Sequence, residues 1–260
     1  MTATKPHDYV LDNSWEHARH RLELLEQCYD AGTIRRLNTL GVEAGWRCLE
    51  VGAGAGSITR WLCDRAGPGG HVLATDLDTR FIDELDAENL DVRRMDLRTD
   101  ELPADAFDLV HTRFVLMHIP QREQILDALL ASLRPGGWLL LEEGDHFAVP
   151  TLGTGLYLEV TEAGAASTAQ AGVAYEWARH LPGLLHRHGL ADVGAACEVP
   201  LFEGGSAGAE FWRITGAQLW EKGLVTGVTP HQFSEWDALL SQPGRWFPGL
   251  TVVAAWGRRP

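Results

Sequence analysis

Short apolar runs alternate along this chain with segments of helical period. The runs RCLEVG, HVLATD, DVRRMD, FDLVHT and GWLLLEE have strand length, and between them apolar positions return every three or four residues. The pattern predicts strands near 47–51, 71–75, 91–95, 107–112 and 137–142. It predicts helices near 57–66, 79–88 and 121–134, with Pro135-Gly136-Gly137 ending the last helix and turning the chain. Such alternation needs crossover connections, hence an α/β fold with a mostly parallel sheet and helices on both faces. Ahead of it, caps at Asp12, Asn13 and Ser14 and apolar positions from Trp15 to Tyr29 predict a helix over 14–30. A second short helix is expected over 33–40, stopping at Gly41. After residue 146 the regularity breaks. A Gly-, Ala- and Thr-rich stretch leads to a helix near 178–188 and a strand near 192–202, and an aromatic-rich stretch precedes a last strand, LTVVAAWGRRP. We read one domain over 1–260, with an N-terminal helical lid at 1–42 and a core at 43–146. Insertions at 147–190 and 204–247 form a helical cap over a substrate pocket.

The first strand runs into Gly52, Ala53, Gly54 and Gly56, and a helix follows. Glycine lets the chain turn tightly and lets a ligand lie against bare backbone, while the helix start aims free N–H groups at the same crevice. A dinucleotide fingerprint has the spacing G-x-G-x-x-G. Here the third glycine comes one residue early, which disfavours a nicotinamide dehydrogenase.

LEVGAGAG resembles the E/D-x-G-x-G-x-G motif of the class I S-adenosylmethionine-dependent methyltransferases, with Glu50 as the leading acid. The resemblance continues through ATD, RRMDL, FDLVHTRFVLMHIP and LRPGGWLLLEEGD, five elements in the expected order. It implies a Rossmann-like class I methyltransferase fold with a seven-stranded sheet, and S-adenosylmethionine as cofactor. It implies that Asp76, with Leu77 beside it, takes the two ribose hydroxyls and that Asp96 and Leu97 hold the adenine. Asp76 lies 24 positions after Gly52, near the interval of about 20 at which a ribose-binding acid is expected. Glu50 either braces the loop or meets the cofactor's amino group, and Arg113 is a candidate for its carboxylate. In many small-molecule members of the family an N-terminal helical segment closes over the cofactor, which makes Tyr9 a candidate contact.

The formal charge of -14 disfavours nucleic acid, whose binding needs clustered Lys and Arg, and anionic lipid as well. Four scattered cysteines suit neither a zinc site nor a disulfide framework. No signal-peptide pattern opens the chain. The expectation is a soluble cytoplasmic protein with no bound metal; the acids and histidine of EEGDH are loop neighbours that rarely converge on one ion. Homodimerisation through the N-terminal helix or the insertions stays open.

Methyl transfer to a small molecule is the activity that follows. Much of its rate can come from alignment, and a base is needed only where the acceptor must lose a proton. His118 and His146, at the carboxyl ends of the fourth and fifth strands, are the candidate bases. Trp15, Tyr157, Tyr175, Trp177, Phe211 and Trp212 are the candidate substrate lining, suited to an apolar or aromatic metabolite. Most aromatics in such a cap form its core, and only some line a pocket. Two alternatives share the same motifs: a cyclisation or other non-methylating step on the same fold, and a cofactor-binding module without turnover.

Overall fold

Successive side chains of a strand go to opposite faces of its sheet, and here the apolar residues sort accordingly. The computed structural model describes residues 10, 11 and 13–260. Among them, β1 (Arg47–Val51), β2 (His71–Asp76), β3 (Leu90–Arg94), β4 (Phe107–Arg113), β5 (Leu133–Asp145), β6 (Ala191–Glu198) and β9 (Thr251–Arg258) form a seven-stranded sheet of order β3-β2-β1-β4-β5-β9-β6. The first five are parallel. Gly136 N–H donates to the Arg259 carbonyl and Arg259 N–H to Gly137, so β9 ends where β5 begins and runs against it.

Leu49, Leu73, Val110, Leu139 and Leu141 pack on one face with α3 (Arg122–Ser132) and α6 (Leu181–Arg187). Cys48, Val72, Leu109 and Leu140 pack on the other with α1 (Ala18–Leu40) and α2 (Ser57–Ala66). Burial on both faces is why the strands read as near-continuous apolar runs.

The sequence reading is a single domain, whereas the described residues gather into two compact units. The sheet-bearing unit comprises 29–143, 177–196 and 253–260. The expected lid is therefore divided, with 29–42 belonging to the sheet-bearing unit. The other unit comprises 144–176, 197–252 and the described part of 1–28. In it α4 (Ala148–Leu152), α5 (Gly155–Gln170), α7 (Ala207–Glu221) and α8 (Pro230–Leu240) accompany a two-stranded antiparallel pair, β7 (Leu201–Glu203) and β8 (Trp246–Pro248). Its core gathers Val160, Ala209, Trp236, Leu240 and Phe247. Arg213 on α7 grips both carboxylate oxygens of Asp237 on α8, at 2.9 and 3.0 Å. No described helix is long and apolar enough to cross a membrane.

Three local expectations are corrected. The two N-terminal helices are one, α1, running through Gly32. Asp30, Thr33 and Arg36 recur at helical spacing and each engages β4 or β5, so tertiary contacts outweigh the glycine. The helix over 79–88 is only a 3-10 turn, Ile82–Glu84. Four acids at 83, 84, 86 and 88 would crowd the negative end of such a helix, and Asp78 instead accepts from the Arg80 N–H in a local turn. Pro135-Gly136-Gly137 does not end α3, which stops at Ser132; it forms an irregularity inside β5, where the register with β4 shifts. A Cβ on Gly137 would lie 2.8 Å from the Phe107 carbonyl oxygen.

Candidate functional site

Strand order reverses between β1 and β4, which opens a crevice at their carboxyl ends. The glycine loop lies there. Gly52, Gly54 and Gly56 all have positive φ, at 70°, 62° and 92°. A Cβ on Gly52 would run into Val115 Cγ2, and one on Gly56 would lie 2.6 Å from Leu85 Cδ1. The loop is tied to the end of β2: Gly52 and Ala53 N–H donate to the Thr75 carbonyl, and Gly54 N–H donates to Asp76 Oδ2 at 3.0 Å. This bare-backbone cradle fits a nucleoside cofactor.

Asp76, half-buried at the end of β2, has acceptor capacity to spare. Its oxygens receive Gly54 N–H and Asp78 N–H, the latter at 3.1 Å, and a carboxylate has about four lone-pair sites. Burial raises its pKa, opposed by those backbone donors. Leu77 beside it is an exposed leucine. Asp96 is gripped by Arg98 at 2.6 and 2.8 Å, and this hydrogen bond lowers its pKa. Leu97 packs at the margin of the α3-side core. Arg113 donates to Asp30 and to Thr33, each at 2.9 Å. The structure thus gives Asp96 and Arg113 side-chain partners within the protein. Tyr9 lies outside the described residues.

The sequence reading missed what lies beneath the loop. Glu50 is buried and accepts from the Thr59 hydroxyl at 2.6 Å. His111, its register partner on β4, places Nδ1 3.7 Å from Glu50 Oε1 and Nε2 3.2 Å from Glu142 Oε2. Glu142 also receives the Thr33 hydroxyl and an Arg36 N–H, both at 2.6 Å. Burial alone would raise the pKa of Glu142, but His111 first, then Arg36 and Arg113, bring it down to about 2. Phe114, at the end of β4, has a φ of 55°, a sterically costly conformation for a bulky residue, and its ring meets Tyr29 edge-on at 5.0 Å.

Glu143 faces the opposite side of the sheet and has opposite electrostatics. It accepts Leu116 and Met117 N–H at 2.9 and 3.2 Å, holding the segment after β4, while burial pushes its pKa up to about 7. A folded pKa raised above the ordinary 4.5 gives a contribution to stability present below 4.5 and lost as pH rises through about 7. Glu143→Gln supplies one acceptor for two donors and sets an amide NH2 against an N–H. We expect it to cost about 2 kcal/mol at pH 5. In urea titrations the gap to wild type should narrow between pH 5 and pH 8; a constant gap contradicts the assignment.

Of the candidate bases, His118 ends a 3-10 turn, Leu116–His118, in the sheet-bearing unit. His146 belongs to the other unit, its Nε2 3.2 Å from Glu162 Oε1 and its ring 5.6 Å from that of Tyr175. Burial lowers the His146 pKa, opposed by Glu162 and Asp145. The Tyr175 hydroxyl pairs with Thr168 at 2.9 Å. Tyr157 and Phe211 are buried; Tyr157 donates to the Pro248 carbonyl and packs on Phe247 at 4.9 Å. Trp212 lies beside Phe211, and Trp15 donates to Glu221 at 2.8 Å. Trp177 alone of the candidate lining lies in the sheet-bearing unit, packed at its core under the Arg122 guanidinium.

A mostly parallel sheet with a glycine cradle and a strand-end carboxylate at its switch point defines an α/β nucleotide-cofactor protein of Rossmann-like type. Residues 49–139 match the family model of a methyltransferase domain. Over that segment the chain is similar to a methyltransferase domain. The ubiquinone/menaquinone biosynthesis C-methyltransferase UbiE of Ectopseudomonas mendocina (strain ymp) is 32% identical over 111 residues, 40% of this chain and 43% of that relative. The match therefore spans less than half the length of this curated relative. Phosphoethanolamine N-methyltransferase 2 of Haemonchus contortus, solved with S-adenosylhomocysteine, superposes with a TM-score of 0.61 at 15% identity, over 99% of this chain and 61% of that one. The [4+2]-cyclase SpnF superposes with a TM-score of 0.50 at 17% identity, over 90% and 82%. At such identities the solved structures establish the fold alone.

Proposed function

We propose that this protein transfers a methyl group from S-adenosylmethionine to a small apolar or aromatic metabolite by in-line displacement. The observation that carries the reading is the glycine cradle closed onto Asp76 at the switch point, inside the segment that matches a methyltransferase domain. The cofactor supplies a methyl already activated by its sulfonium, so the chain's task is to hold acceptor and methyl in line. In this reading Asp76 takes the ribose hydroxyls. Leu77 lies beside it, Asp96 and Leu97 bound the adenine, and Arg113 and Tyr9 serve the methionine portion. Asp96 would do so while still paired with Arg98.

Where the acceptor is protic, His118 or His146 takes its proton; burial keeps His146 neutral near pH 7, as a base must be. Trp15, Tyr175, Trp177 and Trp212 are the proposed substrate contacts; Tyr157 and Phe211 are buried within their own unit. The work of the relative in quinone biosynthesis puts quinol-like aromatics among the first acceptors to try. A cytoplasmic location, and partners that exclude nucleic acid and membranes, belong to the same proposal; its support is the formal net charge of -14. So does self-association as a homodimer.

Calorimetric titration with S-adenosylmethionine and S-adenosylhomocysteine tests the cofactor site. Wild type should bind both, and Asp76→Ala, which removes charged acceptors for two hydroxyls, should bind about 30-fold more weakly. Absence of binding to folded wild type overturns the reading. Mass analysis of products from an acceptor screen then separates methylation, a gain of one CH2, from a cyclisation that leaves the mass unchanged.

A further inference from the structure

Glu50 leads the glycine motif, yet its carboxylate is turned into the protein rather than left at the rim. It bonds Thr59, on the first turn of α2, at 2.6 Å. The two residues flank the loop on either side, so their hydrogen bond staples its ends together beneath the cradle. Across the sheet stands His111, fully enclosed, with a carboxylate opposite each ring nitrogen. A neutral imidazole carries one N–H and one lone pair, so in either tautomer a lone pair would face an anion. Only the imidazolium directs a positive N–H at both.

We infer that His111 is a positioning residue for cofactor binding: its imidazolium, anchored by Glu142, fixes Glu50 and hence the Glu50–Thr59 staple that holds the glycine loop in cradle form. This rests on the cofactor reading of the loop. The groups around the ring come from every element packed on it: Glu50 on β1, Thr59 on α2, Arg113 on β4 itself, Glu142 on β5, and Asp30, Thr33 and Arg36 on α1. The charged set balances, with Glu50, Glu142 and Asp30 against His111, Arg36 and Arg113. Losing the His111 proton leaves one negative charge in excess in a largely buried cluster, directly against Glu50. Burial works against the proton, but the two carboxylates outweigh it and the ring's pKa is raised above the ordinary 6.5. The staple is therefore complete below the ordinary 6.5 and loosens as pH rises through the raised pKa of His111.

The test uses S-adenosylhomocysteine, which needs no acceptor, titrated calorimetrically against the whole chain from pH 6 to pH 9. Wild type should bind evenly at the acid end and progressively more weakly at the alkaline end. His111→Gln, with folding checked by circular dichroism and its urea midpoint, should bind about tenfold more weakly at pH 6. It should also lack the alkaline decline. A merely structural role would lower affinity at every pH but leave the decline in place. Wild-type affinity in His111→Gln, or an unchanged decline, overturns the inference.

If His111→Gln does not fold, Thr59→Val opens the staple with every charge kept. Its affinity should fall severalfold and its alkaline decline should flatten, because no staple is left for the His111 proton to hold; wild-type affinity overturns the inference. Ring 15N resonances of His111 provide an independent readout, and a neutral imidazole at pH 6 would sink the proposal. Absence of S-adenosylhomocysteine binding to wild type would instead refute the cofactor reading on which the proposal stands.

Discussion

Gly52→Ala is expected to weaken S-adenosylhomocysteine binding by on the order of 300-fold while leaving a folded protein. Two costs combine. With φ at 70°, any residue bearing a Cβ is held in the left-handed region, at about 1–2 kcal/mol. The new methyl also meets Val115 Cγ2, and forcing such a group into a packed site costs about 1–3 kcal/mol. Val115 has little room to withdraw, because the next two residues are pinned by their N–H bonds to Glu143. The empty loop can relax away from the contact, whereas the cofactor must force the cradle back, so much of the cost appears as lost affinity. Gly52→Ala/Val115→Ala should recover the steric part and leave a defect of about tenfold from the backbone alone. Equal defects in the single and double variants would show that Val115 is not the obstacle.

The parts of this fold that were legible in the sequence are those where local pattern and tertiary demand agree. The alternating runs place β1 to β4 within a residue or so; β1, β2 and β4 are largely buried on both faces and leave few polar interruptions, and β3, at the sheet edge, is marked by its neighbours. The glycine loop is legible for the same reason, since its backbone conformation admits little else. Where the pattern misleads, a distant contact decides. Residues 14–30 and 33–40 read as two helices, but Asp30, Thr33 and Arg36 reach Arg113 and Glu142 from a single one. The division of the candidate substrate aromatics between two units carries no local signal, because Trp177 and Tyr175 are two positions apart yet belong to different units.

The network beneath the loop left a trace that could have been read. Glu50, His111 and Glu142 are ionisable residues in the middle of RCLEV, FDLVHTR and LLLEEGD, runs otherwise apolar enough to be fully buried. Buried charge is stable only when paired, so three such strands in one sheet imply that their charges meet. The strand alternation even separates the two neighbouring acids, since Glu142 follows the parity of Leu140 toward α1 while Glu143 follows Leu139 and Leu141 toward α3. What the sequence does not encode locally is which partner each acid finds, and that alone sets one near 2 and the other near 7.

Glu142→Ala should destabilise the protein by about 3–5 kcal/mol near pH 6, because it strips the carboxylate from His111, Arg36 and Thr33 while leaving them buried. The pKa gives a second route to the magnitude. A carboxyl that titrates at about 2 in the fold and at the ordinary 4.5 when unfolded contributes about 3 kcal/mol once ionised in both states. The sign follows from the depression: the contribution is complete above 4.5 and lost as pH falls toward 2. Urea titrations of wild type and variant should therefore differ by a nearly constant amount around pH 5 to 6 and converge below it. A gap that persists undiminished at pH 3 would mean that the lost interaction was packing rather than charge. Glu142→Gln sharpens the test, because its amide NH2 would stand opposite His111 Nε2. With the carboxylate that raised the ring's pKa gone, burial favours a neutral imidazole that can accept from this donor, so the damage should be smaller than that of Glu142→Ala. Arg36 keeps its charge, so this relief stays partial, and the remaining deficit measures what the carboxylate does for the guanidinium alone.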